Sequence, residues 1–419
     1  MATSPASFVV AIPASSQSWI ASTHLLASHG AVATMESSFL SQLRSIPIKS
    51  VVSISLYFLT FGACLTIALS RALRSLPYTI AAWIYTPIAL ASLYITWTEI
   101  FKFIENDYQT FGGNSTLTDY LTESDWFDAA YVAVTRNPDG WWWSVQLLNV
   151  AAVIVALIWS EGVHHWARKT VKGGPGLIRA GLGSALAYVL LGFLGAMSVC
   201  FASFLVQRSV IERTYVLKSS PRLTPSVFLL FGFYVLGVAY TPYIEPSSVL
   251  FGVNLKLLHL ALLLPVLGAA GPVLIHRPKT ITSTTNLSSQ KGIESLYTFL
   301  AIANLVSYGF ATYQRWQDWS GLNVPEILQR QADAVYDNPC QVSITADLAF
   351  SGLIAVLFLA SEVRKGVKAG LVAPLHGFLV VFGGMIASPI VGIAVVLPAF
   401  LAWREGWVRK EVGAKSKAA

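Results

Sequence analysis

Charge is what this chain has least of. Of 419 residues only 12% are charged against 54% hydrophobic, with a mean hydropathy of +0.60, which excludes the two or three soluble domains the length would allow. Cysteine is almost as scarce: Cys64, Cys200 and Cys340 stand singly, without the spacing of a disulfide framework or a zinc site. There is no DDxxD or NSE-type diphosphate motif, no DxDD, no Walker or Rossmann glycine pattern and no HExxH. That argues against a magnesium-diphosphate class, and no metal or cofactor is expected. The net charge of +7 is spread over short loops and the C-terminus, which fits membrane topology better than nucleic-acid binding.

What fills the chain instead is long apolar runs, so the fold class expected is all-α, a polytopic integral membrane helical bundle with an internal duplication. Apolar stretches lie near 50–70, 77–98, 142–161, 177–206, 225–243, 254–275, 293–313, 342–362 and 375–403. Each is long enough to cross about 30 Å of hydrocarbon at 1.5 Å per residue. Residues 1–47 are Ser/Ala-rich, Pro13 interrupts their one apolar run, and no basic n-region precedes it. That is a poor signal peptide and reads as a mobile or surface-lying segment. The remaining division is a first membrane repeat over 48–206, a connecting segment with apolar stretches over 207–290, a second repeat over 291–405 and a basic tail over 406–419.

The duplication is read from two segments. Residues 136–168, RNPDGWWWSVQLLNVAAVIVALIWSEGVHHWAR, share their layout with the segment from Asp337 to Arg364, DNPCQVSITADLAFSGLIAVLFLASEVR. Asn137-Pro138 matches Asn338-Pro339 and Ser160-Glu161 matches Ser361-Glu362, at a constant offset of 201 residues, and Gln146 stands where the second copy has Asp347. Equal motifs bury equal faces, so the two central helices should be neighbours about a pseudo-twofold axis.

Topology is harder to satisfy. The loops after the two central helices are both basic, with His164, His165, Arg168, Lys169 and Lys172 in one and Arg364, Lys365 and Lys368 in the other, so both belong in the cytoplasm. Nine spans would invert one copy against the other. Keeping both loops on one side requires a non-spanning or paired re-entrant segment somewhere in 207–290, giving eight spans as four plus four, with the basic tail on the wrong side. Eight is the count adopted here and nine the alternative. The long hydrophilic loops 99–141 and 314–341 then share the non-cytoplasmic side, as the acids Glu99, Glu105, Asp107, Asp119, Glu123, Asp125 and Asp128 and the sequon at Asn114 suggest. A second sequon begins at Asn286, and the adjacent His164-His165 pair reads as interfacial rather than metal-binding.

An aspartate inside a span costs roughly 2.5 to 3.5 kcal/mol at mid-depth and normally has a task. Asp347 is therefore the first candidate catalytic acid, with Glu99, Asp107 and Asp318 as further acids that could meet it from the loops. Its sequence neighbours carry no charge, so burial would leave it un-ionised and able to give a proton. Glu161 and Glu362 stand beside basic residues and read as ion-pair partners. Gln146, Asn304, Tyr308, Trp97, Trp142 and Trp316 are candidate substrate-binding residues, lining one aromatic chamber under the two long loops. An acid with aromatic walls is what protonating an epoxide or alkene and sheltering a carbocation requires, because ring faces offer negative charge without a nucleophile.

The order Asn-Pro, short gap, Asp347 or Gln146, apolar span, Ser-Glu, basic pair and a final apolar span ending at Arg404-Glu405 resembles a small three-span bacterial membrane family, here in duplicate over roughly 80–205 and 295–405. As a whole the chain resembles the membrane-bound terpene cyclases of fungal meroterpenoid pathways, the ascofuranone and ascochlorin cyclase type. That resemblance implies an enzyme needing no metal or nucleotide, which protonates the epoxide of a hydrophobic prenylated aromatic substrate and directs ring closure. It also implies a lipid-bilayer setting, with the endoplasmic reticulum as the expected membrane. The competing classes are a repeat-built transporter using intramembrane carboxylates as proton or ion ligands, and a non-catalytic scaffold. Oligomeric state is left open. A closed aromatic-walled pocket would favour the cyclase, and a polar path reaching both faces would favour the transporter.

Overall fold

Two Asn-Pro pairs organise the centre of the protein. In the computed structural model, which describes residues 48–111, 116, 119–120, 124, 126–163, 182–214, 225–268 and 286–418, each pair starts a long helix. Asn137 caps the first with its side-chain oxygen on the amides of Asp139 and Gly140, and Asn338 caps the second on the amide of Gln341 at 2.9 Å. Proline at the first helical position loses nothing there, since that N–H has no intrahelical partner.

The described elements are α1 (Ile48–Ser75), α2 (Ile80–Thr110), α3 (Trp126–Arg136), α4 (Pro138–Leu157), α5 (Leu182–Leu194), α6 (Met197–Thr214), α7 (Pro225–Tyr240), α8 (Val249–Gly268), α9 (Asn286–Trp319), α10 (Val324–Tyr336), α11 (Pro339–Lys368), α12 (Pro374–Val391) and α13 (Ile393–Ala418). No strand occurs among the described residues, and eight helices are long and apolar enough to cross a membrane. The chain is an all-α polytopic helical bundle. A smaller unit, Met1–Ile54 with Thr110–Ser124, is separate from the larger one that holds everything discussed below. Within it the carboxylate of Asp119 accepts from the amide and hydroxyl of Thr116, both at 2.8 Å, which holds that carboxyl below its usual range. Residues 1–47, the loop carrying His164, His165, Arg168, Lys169 and Lys172, the sequon Asn114, and the side chains of Asn286 and Trp126 lie outside the described residues.

The two central helices, α4 and α11, run side by side in the same direction. At their starts Asn137 donates to Asp337 at 3.4 Å, and a Cβ at Gly140 would meet Oε1 of Gln341, its own counterpart 201 residues on, at 2.8 Å. At their far ends Glu161 and Glu362 share the same arginines. Contact between equivalent positions is what a twofold relation between the copies produces. The relation continues outward: Trp142 of α4 donates to Thr312 of α9 at 3.0 Å, and Ser343, the counterpart of Trp142, donates to the Thr96 carbonyl of α2 at 3.1 Å. Each central helix therefore leans on a helix of the other copy. The core of α4 is packed tightly, and every residue from Val150 to Ile158 is at most 3% exposed.

The last stretch of each copy is a hairpin of two helices rather than one straight run. In the first, Gly195-Ala196 separates α5 from α6, and the Tyr188 hydroxyl reaches back to Gln207. In the second, Gly392 sits at φ 84° between α12 and α13, a conformation that only glycine adopts without strain. His376 near the start of α12 stacks flat on Trp403 of α13 at 5.6 Å, so both ends of the pair lie together. The paired segment expected in 207–290 thus lies at 182–214, and a second one lies at 374–418, so that α12, one of the eight long apolar helices, turns back and seven of them run from face to face rather than the eight expected.

These hairpins resolve the topology. Each returns to the face it left, so both copies point the same way and the C-terminal helix emerges beside the end of α11. A Cβ at Gly366 would lie 2.0 Å from the Trp407 ring. The turn after α1, the ends of α4 and α11, the start of α9 and the basic tail gather on one face, held by Arg71 to Gln207 at 2.9 Å, Thr79 to Ser209 at 3.1 Å and Arg409 to Glu294 at 2.6 Å. The acidic end of α2, with α3, the α7–α8 turn, the end of α9 and α10, gathers on the other. Among the described residues the tail thus shares a face with the basic end of α11, as the positive-inside tendency asks, although it was expected on the wrong side. The loops expected to cover a chamber carry helices instead. Helix α10 begins with a capping box, Asn323 with Glu326, and is pinned by Arg330 and Gln331 to the buried Asp139 at 2.5 and 3.2 Å.

Candidate functional site

Asp347 lies where the half-helix α6 begins. Its two carboxylate oxygens accept the backbone amides of Met197 and Ser198, each at 2.8 Å, and the Ser198 hydroxyl is 2.5 Å from that of Ser92. Breaking the chain at Gly195-Ala196 leaves the first amides of α6 without carbonyl partners inside a membrane, and a carboxylate at that positive end answers both needs. Asp347 is thus isolated in sequence but not in three dimensions, because its partners come from 150 residues earlier in the chain.

Beside Asp347 is a cavity of about 90 Å³, walled by Tyr131 of α3, Phe193 and Met197 of the first hairpin, Tyr234 of α7 and His259 of α8. Nδ1 of His259 lies 2.8 Å from the Leu255 carbonyl, so that nitrogen carries the proton and Nε2 is left to accept. The Tyr131 hydroxyl is 3.4 Å from Nε2. Burial, with Asp128 beside it, holds the Tyr131 phenol above its ordinary range, so it keeps its proton and donates. Phe127 and Phe193 meet the imidazole edge-on at 5.7 and 5.1 Å. An acid, an imidazole and two phenols thus converge on an aromatic-walled space. Neither His259 nor Tyr131 was singled out from sequence. A lone histidine in an apolar span was the available signal.

The other candidate acids do not join this group. Glu99 pairs with Lys102 and Asp318 with Arg315, both at 2.6 Å on the acidic face, and Asp107 is half-buried two turns beyond Glu99 on α2. The aromatic and amide candidates divide between three places. Gln146, Asn304, Tyr308 and Trp142 gather at the Gly392 break: Asn304 donates to the Ala394 carbonyl and Tyr308 to that of Ile390, both at 2.8 Å, while Trp142 and Tyr308 rings lie 5.7 Å apart. Oε1 of Gln146 lies 3.3 Å from where a Cβ on Gly392 would sit, and its amide nitrogen is 3.4 Å from the Trp142 carbonyl. Gln146 thus faces the break of the second hairpin as Asp347 faces that of the first. Trp97 belongs to a separate cluster, stacked on Phe61 at 4.7 Å with Phe101 at 5.4 Å, and Trp316 is 63% exposed.

On the basic side a second polar centre is fully compensated. Arg208 donates through Nε to Glu161 and in bidentate fashion to Glu362 at 2.9 Å. Arg404 donates to Glu161 at 2.5 Å, to Glu362 at 3.1 Å and to Glu405 at 2.6 Å. Lys365 adds a contact to Glu362 at 2.6 Å, and the Phe358 ring lies beneath both guanidinium groups at 5.2 and 6.0 Å. Reading the glutamates as ion-pair partners agrees with this, although the main partners are arginines of the two hairpins rather than neighbours in sequence. Glu161 sits in a π-helical turn, Ile158–Val163, whereas Glu362 is in regular helix. No metal-binding cluster of His, Cys, Asp or Glu occurs among the described residues. No protein-family description, curated protein or solved structure matches the chain.

Proposed function

We propose that this chain is an intramembrane, acid-initiated cyclase of the terpene type, with the reacting end of an isoprenoid chain held in the cavity beside Asp347. One observation carries the reading: a carboxyl group, an imidazole and aromatic faces line one partly open cavity in the apolar part of the bundle. At about 90 Å³ the space is small, so it suits the branched end of a prenyl group, with the arene outside. In this reaction Asp347 gives a proton to the epoxide oxygen, the C–O bond breaks, and the resulting tertiary cation is attacked by the next double bond. The rings of Tyr131, Tyr234 and Phe193 face the cation. Loss of a proton from carbon, taken up by Asp347 or by Nε2 of His259, ends the sequence with a product isomeric with the substrate. The endoplasmic reticulum is the membrane proposed for it.

Membranes containing the protein, incubated with a prenyl-arene epoxide, should yield an isomer of identical mass, and Asp347→Asn membranes should not. An undiminished yield from that variant, or none from the wild type, would overturn the proposal.

A second reading, a transporter, has one observation in its favour: two helical hairpins break inside the bundle, as in many carriers. Against it stands the packed layer of α4 between the Asp347 level and the arginine–glutamate centre, where residues 150–158 are all apolar and at most 3% exposed. Movement of the epoxide into protein-containing vesicles without isomerisation would support this second reading.

A further inference from the structure

The two ends of the second hairpin and the start of α9 line an open pocket of about 400 Å³ on the basic face. Its inner wall is apolar, formed in part by Leu371. Two tryptophans, Trp403 and Trp407, line it with rings 5.2 Å apart, and His376 lies flat on Trp403. At its rim Arg409 meets Glu294 at 2.6 Å, with side chains 26% and 29% exposed. Glu294 engages the terminal nitrogens of that guanidinium, Nη1 at 2.6 Å and Nη2 at 3.4 Å, so that among the described residues the Nε edge of the fork is open to a second anion.

We propose that this pocket holds the phosphate headgroup of an anionic membrane lipid, with Arg409 as the phosphate ligand. The size falls within the range of about 300 to 1,000 Å³ usual for small-molecule sites. Tryptophans at this level fit the boundary between headgroups and acyl chains, and the apolar wall fits the glycerol and first methylenes. Lys291, Arg364 and Lys368 are exposed on the same face, and basic pockets between helices on that side of a membrane are where anionic headgroups bind. A lipid here has structural work to do. Gly377 is the one fully buried residue of helix α12, whose other packing is through half-buried side chains such as Val380 and Val381, so the outer arm of the hairpin is the less deeply held. A headgroup wedged between Leu371–His376, Ala402–Arg409 and Glu294 would tie both ends of the hairpin to α9.

The test is thermal unfolding of the full chain in detergent, followed by tryptophan fluorescence, with dioleoyl phosphatidic acid, dioleoyl phosphatidylcholine or inorganic phosphate added. Phosphatidic acid should raise Tm by about 3 °C or more, as ligands that bind only the folded state do, and the other two should not. Arg409→Gln should abolish the shift. Glu294→Gln breaks the same ion pair but frees the arginine, so it should keep the shift and reach it at lower lipid concentration. The two variants therefore separate loss of the pair from loss of the ligand. An equal shift from phosphatidylcholine would mean a general lipid coat, and an equal shift from inorganic phosphate would mean a soluble anion's site. Either result, or an undiminished shift in Arg409→Gln, would overturn the proposal.

Discussion

Arg208 and Arg404 hold the same two glutamates. They occupy corresponding places in the two hairpins, 196 residues apart, and each spans from Glu161 of one copy to Glu362 of the other. The centre where the halves of the molecule meet is thus a pair of crossed ionic clamps, almost without exposure to solvent.

Removing one member of a buried, hydrogen-bonded charge set leaves the rest uncompensated, which costs about 3 to 5 kcal/mol. Arg208→Gln and Glu161→Gln should each lower the thermal midpoint sharply. The double variant should be destabilised by less than the sum, with a coupling above about 1 kcal/mol in a double-mutant cycle. Simple additivity would show that the two groups do not act as a unit.

Asp347 serves α6 as a helix cap whatever its chemistry. Asp347→Asn keeps one acceptor for the two amides and should cost about 1 to 2 kcal/mol, and Asp347→Leu should cost more. Measured by thermal unfolding, equal stability of wild type and Asp347→Leu would show that the Met197 and Ser198 amides find other partners.

Ala151 is a small apolar residue lining the same cavity as Asp347. Ala151→Leu should fill the space, abolish isomer formation, and lower stability by about 1 to 3 kcal/mol through overpacking. Tyr131→Phe removes the hydroxyl facing His259 and should slow turnover while leaving the volume unchanged. Full product yield from Ala151→Leu would place the reaction elsewhere.

Single cysteines should report the path of the chain. Ser247→Cys and Gly321→Cys on the acidic face should react with a membrane-impermeant thiol reagent from the same side, and Lys368→Cys only from the other. Labelling of Gly321→Cys and Lys368→Cys from one side would mean that α11 does not cross.

Much of this architecture was legible in one dimension. The Asn-Pro caps, the offset between Glu161 and Glu362 and the pairing of the central helices follow from local chemistry repeated in order. The breaks at Gly195 and Gly392 were not, since each lies inside a run whose hydrophobicity does not change across the glycine. Reading 177–206 and 375–403 as straight spans hid the hairpins, and with them the side on which the tail emerges. The partners of Asp347 were invisible for a related reason. Backbone amides carry no sequence signature, and these become donors only because the helix starts there. Trp97 and Trp316 looked alike as interfacial aromatics, yet one is 8% exposed in a ring cluster and the other 63% exposed, a difference set by which side of the helix meets a neighbour.

The cap on α6 also imposes a schedule on biosynthesis. The Met197 and Ser198 amides are made before the aspartate that will satisfy them, which follows 150 residues later. At about 5 to 20 residues per second the ribosome needs on the order of 10 to 30 s to supply it. Through that interval the first hairpin has a bare amide end and Arg208 lacks Glu362. Ribosomes stalled shortly before and shortly after Asp347 emerges should therefore display nascent chains that differ abruptly in protease resistance over 182–214.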